Sequence, residues 1–180
     1  HAITDNDLRQ LLHAKWQNPM AGILGAHVLL LADHVEIAVM QEVLGNLARL
    51  VPGHPELLGL RAAYLRHRVL RGEDPAAYTV ERPSTFDLPT TWHSWEAMLW
   101  LDHRFGGIIP ADCPMARAAS RVTRAGVWLA LQPPATRVPR GEDELSARVE
   151  KWVEAAGVDD PVHVARGTGL PVSVARRLLR

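Results

Sequence analysis

An all-α fold is the expectation, made of antiparallel helical pairs with a smaller tri-helical unit at the C-terminus. Three observations predict it. Apolar residues recur at i, i+3 and i+4 through most of the 180 residues. Pro and Gly clusters interrupt that pattern at helix-length intervals. No stretch alternates apolar and polar residues strongly enough to support a sheet. Composition agrees: 47% hydrophobic and 22% charged is ordinary for a globular chain and wrong for a disordered one.

The elements follow in order. Asp5 or Asn6 caps a first helix carrying Leu8, Leu11 and Leu12. Asn18-Pro19 stops it and starts a second, with Pro suited to the first helical position. That helix presents Ile23, Leu24, His27, Leu30 and Leu31, and its small Gly22 and Gly25 suit close approach of a neighbouring helix. A third runs from Val35 to Leu50, ends in Val51-Pro52-Gly53-His54-Pro55, and gives way to a fourth from Pro55 to Arg71. The fourth has an outer face rich in base: Arg61, Arg66, His67, Arg68 and Arg71.

Residues 73–91, with Pro75, Pro83 and Pro89, predict an irregular connection. Thr90 or Thr91 then caps a fifth helix, from Trp92 to Phe105, closed by Gly106-Gly107. Another is expected over Met115–Trp128, running on into Leu131. Pro133 and Pro134 open a Pro-rich linker over 133–143. Beyond it, Leu145, Val149, Trp152 and Val153 make one amphipathic helix, and a helix begins at Asp160-Pro161. Gly167-Thr168-Gly169 turns the chain into a last helix through Arg180. The expected organisation is a helical interaction domain over 1–132, the linker, and a helix-turn-helix-like tail over 144–180.

Charge and cysteine content limit the function classes. Twenty Lys and Arg balance twenty Asp and Glu, so no global field steers the chain to nucleic acid or anionic lipid. No apolar run is long enough for a membrane span, and no basic segment precedes an apolar one as in a signal peptide. A single cysteine, Cys113, excludes an intrachain disulfide framework and fits a reducing, cytoplasmic setting.

Candidate chemistry is thin. Nine histidines invite a metal hypothesis, yet His27 and His34 are seven apart, and His93 with Glu96 supplies only two ligands at helical spacing. Cys113, with His93 or His103 as base, lacks a nucleophile signature around it. No catalytic residue and no cofactor is therefore expected, and a metal- or Cys-dependent enzyme is the least favoured alternative.

Two sets of residues point to partners. Trp92, Trp95 and Trp100 fall on one helix, and Trp and Arg together are typical of interface hot spots. With Arg61, Arg66, Arg68 and Arg71 they form the candidate protein-docking set. Ser173, Arg176, Arg177 and Arg180 on the last helix form the candidate nucleic-acid set of a DNA-binding regulator. Six basic against four acidic residues over 145–180 is a weak field for that task.

The run Asn18–Leu31, the junction Leu50–Glu56 and the segment Pro89–Trp95 occur in this order. Together they resemble a helical accessory region of bacterial multidomain proteins that carry caspase-like or other peptidase modules. That resemblance implies a non-catalytic sensing or partner-binding part of a proteolytic, antiviral-defence-type system. A protein partner is expected, nucleic acid is the alternative through 145–180, and no membrane is involved.

Overall fold

The computed structural model describes residues 6, 10, 13–14, 18–32, 35–74, 86–132 and 141–180. The first expected helix lies largely outside these residues, as do 75–85 of the irregular connection and 133–140 of the linker. The class is all-α: eight helices and one two-stranded hairpin among the described residues. The chain divides into two compact units, residues 1–78 and 79–180.

In the first unit, α1 (Pro19–Leu30), α2 (Ile37–Leu50) and α3 (Pro55–Leu70) pack on one another. Asn18 accepts the Met20 N–H at 3.1 Å, and Pro19 opens α1. Because α1 touches both other helices, it is apolar nearly all round, and Gly22 and Gly25 are buried as expected. The α2–α3 turn has Gly53 at φ +75°, where a Cβ would be strained. His54 Nδ1 then accepts the Glu56 N–H at 3.2 Å ahead of Pro55. Ile23, Met40, Leu47 and Leu60 make the centre of the core. One polar pair sits among them. His27 Nε2 lies 2.8 Å from Glu56 Oε1, joining α1 to α3, and Glu56 is wholly buried.

In the second unit, Thr91 caps α4 (Trp92–Arg104) by accepting the Ser94 N–H at 3.2 Å. Gly106 and Gly107, both at positive φ, end it. A short α5 (Pro114–Ala118) follows. The helix expected over Met115–Trp128 is not there: after Ala118 the chain forms β1 (Val122–Ala125) and β2 (Trp128–Leu131), an antiparallel hairpin. Gly126, at φ +65°, opens its two-residue connection, the positive φ that tight hairpins require at that position. Val122, Thr123 and Trp128 favour strand over helix locally.

The unit is completed by α6 (Gly141–Ala156), α7 (Pro161–Thr168) and α8 (Val172–Leu178). α6 thus takes up the last three residues of the expected linker. Gly167 and Thr168 belong to α7 rather than to the turn, which begins at Gly169 with φ +70°. Gly167 is required by packing: a Cβ there would fall inside the Trp152 indole of α6.

The tail helices share their unit with α4, and Asp102 is the reason. Its buried carboxylate accepts the Ile109 N–H at 2.8 Å and the Val172 N–H at 2.7 Å. His103 Nε2 donates to the Leu170 carbonyl at 2.8 Å beside it.

Candidate functional site

The hairpin and the lead-in to α4 are joined through their main chains. Leu129 N–H donates to the Thr90 carbonyl at 2.9 Å, Trp92 N–H donates to the Val127 carbonyl at 3.0 Å, and Thr91 bridges Trp128. The main chain of 90–92 thereby covers the outer side of β2 at Val127 and Leu129. Upon this base stand three apolar side chains: Val127 is 62% exposed, Trp128 42% and Leu131 45%. Apolar groups held out by backbone hydrogen bonds are costly in water and suit a docking surface. The apolar spacing predicts these residues on a helix; the signal that locates them is Gly126 between two short β-favouring runs.

The tryptophans chosen from the sequence separate. Trp95 is 3% exposed and anchors the α4 core, so it does not belong to an outer face. Trp92 and Trp100 are half-buried, and Trp92 adjoins the hairpin through its own N–H.

The α3 arginines separate as well. Arg61, Arg68 and Arg71 follow one stripe at helical spacing, whereas Arg66, five residues beyond Arg61, is turned about 140° from it. Arg61 and Arg71 are exposed, and Arg66 is half-buried. Arg68 pairs with Glu73 and lies 5.5 Å over the Tyr64 ring, so much of its charge is engaged within the unit. Burial first, and then the Arg71 charge, push the neighbouring His67 below the ordinary histidine range. The folded chain therefore holds that proton less tightly than the unfolded chain. His67's contribution to stability is complete above the ordinary value and is lost as pH falls from there to its folded value. Urea midpoints measured from about pH 7.5 down to 5.5 are expected to fall more steeply in the native sequence than in His67→Gln.

Arg176 and Arg177 on α8 and Arg180 just after it are exposed, and Ser173 is half-buried. A recognition helix leads into the major groove with its N-terminal residues. Here that end is occupied: Val172 is fully buried against α4, and a Cβ on Gly107 would lie 3.2 Å from its side chain. The arginines lie at and beyond the opposite end of α8.

The remaining reactive groups serve the fold. Cys113 is buried, and its Sγ accepts the Ala116 N–H at 3.3 Å, capping α5. Burial pushes its thiol above the ordinary cysteine range, against the opposing pull of the Ala116 and Met115 amides. Ellman's reagent is expected to label Cys113 more slowly in the native chain than in urea; equal rates would contradict the capping role. His103 is committed to Leu170, and Glu96 is exposed on α4. Among the described residues no group of three or more His, Cys, Asp or Glu could hold a metal ion.

No family model, curated protein or solved structure matches this chain.

Proposed function

We propose that the chain is a non-catalytic module that docks a protein partner, working in the cytoplasm as part of a bacterial multi-component, protease-linked defence system. The observation that carries the docking reading is the hairpin, which presents Val127, Trp128 and Leu131 on a base fixed by main-chain hydrogen bonds. Such preorganisation lowers the ordering cost of association. The likeness of Asn18–Leu31, Leu50–Glu56 and Pro89–Trp95 to accessory regions of peptidase-bearing proteins supports the setting. The engagement of Cys113 and Asp102 in caps supports the non-catalytic half.

The test is a photo-crosslinking residue at position 128, with position 154 on the exposed side of α6 as control. A discrete adduct formed in cells from 128 and not from 154, and lost in Val127→Asp, is the expected result. Identical adduct patterns from both positions would reject docking at the hairpin.

A second reading, DNA binding by the tail, is favoured by one observation: three arginines exposed on and just after the second helix of a helix-turn-helix-like pair. It requires a gel shift that weakens steeply with salt and disappears in Arg176→Ala/Arg177→Ala. Absence of a shift at low salt removes it.

A further inference from the structure

The hairpin has one closed edge and one open edge. β2 is closed by residues 90–92, as described. On β1, Arg121 accepts the Gln132 N–H at 2.9 Å, which makes Arg121 and Gln132 a hydrogen-bonded pair. Antiparallel pairs alternate, so Thr123 and Ala125 also turn their main chain toward β2, opposite Ala130 and Trp128. Val122 and Arg124 then direct their N–H and C=O groups away from the hairpin. None of these four groups has a partner among the described residues.

An open edge is a template for another strand, and proteins commonly blunt it with Pro, a bulge or a covering element. β1 contains no Pro, and its register with β2 is one-to-one without a bulge. Its protection is charge. From Cys113 to Gln132 the chain carries Arg117, Arg121 and Arg124 and no Asp or Glu. The Arg124 Nε donates to the Gly126 carbonyl at 3.0 Å, which holds the guanidinium beside the hairpin turn. Pairing β1 with the β1 of a second copy would bring two sets of these arginines together, and like charges across a ladder are destabilising. An acidic strand meets the opposite condition.

We propose that the outer edge of β1 takes up an extended acidic segment of a partner protein by strand addition, with its main chain on Val122 and Arg124. The inference rests on the docking reading and names the form its partner takes. Carboxylates at alternate positions of the incoming strand lie on one face, that of Arg124. The intervening apolar residues of the same segment lie on the opposite face, that of Trp128.

The probe is a fluorescein-labelled octapeptide alternating glutamate and valine, with a lysine–valine peptide as counterpart, titrated against the full chain. The glutamate peptide is expected to bind and to slow amide exchange at Val122 and Arg124. Val122→Pro removes one outward N–H without changing charge, and is expected to weaken binding about five- to ten-fold, the net worth of one hydrogen bond. Arg124→Glu is expected to weaken the glutamate peptide and to strengthen the lysine peptide. Exchange at Leu129, which bonds Thr90, reports whether the hairpin survives in each variant; where Val122→Pro loses it, the Arg124→Glu exchange of preference decides alone. Binding that leaves the Val122 and Arg124 amides unprotected, no binding of the glutamate peptide, or unchanged preference in Arg124→Glu would each overturn strand addition. A crosslink at position 128 that persists unchanged in Arg124→Glu would overturn it while leaving the docking reading in place.

Discussion

Glu56→Ala lowers the stability of the first unit by about 3–5 kcal/mol, the usual cost of removing one partner of a buried ionisable pair. The carboxylate is fully buried and lies 2.8 Å from His27 Nε2, whose side chain is itself 8% exposed. Alanine leaves the buried imidazole without this acceptor, and leaves a void that close-packed helices cannot fill. Urea unfolding followed by circular dichroism, with amide exchange over 37–70 to localise the loss, measures the effect. The double variant His27→Leu/Glu56→Leu separates pairing from packing. It is expected to recover most of the stability, because apolar groups of similar volume replace a desolvated pair at little net cost. A double variant no more stable than the single one would show that the site depends on contacts of these two residues beyond their mutual bond.

The helices were legible because their determinants are local. Apolar spacing, Asn18-Pro19, His54-Pro55, Thr91 and Asp160-Pro161 each act within one turn of the residue they name. The hairpin was not legible from period alone. Val122-Thr123-Arg124-Ala125 does not alternate cleanly, and the apolar residues from Met115 onward imitate a continuing helix. Only the two-residue spacing around Gly126 distinguishes the two, and β1 and β2 are each four residues long. The tryptophan set shows a second limit. Spacing puts Trp92 and Trp95 near one another on α4, but which of them faces the core depends on what packs against the helix. Trp95 is buried while Trp92 meets the hairpin, a neighbour the sequence pattern did not reveal. The bond from Asp102 to Val172 spans 70 residues and leaves no periodic trace at all.

That bond carries the other large effect. Asp102→Ala is expected to cost the second unit about 2–6 kcal/mol, since two buried N–H groups, of Ile109 and Val172, lose their acceptor at about 1–3 kcal/mol each. Asp102→Asn keeps one carbonyl oxygen and so is expected to lose less. Amide exchange gives the location: faster exchange at Ile109 and Val172, spreading over α7 and α8, with the first unit unaffected. The same variant separates the two functional readings. Asp102 ties the leading end of α8 to α4, and Val172 and Ser173 at that end are the residues a groove-reading helix would insert. If the tail binds DNA, releasing that end raises affinity for a duplex even as it lowers stability. If the hairpin is the working surface, Asp102→Ala leaves the position-128 crosslink in place at temperatures where the unit stays folded, and no duplex affinity emerges. A gel shift gained in Asp102→Ala would therefore turn the assignment from the hairpin to α8.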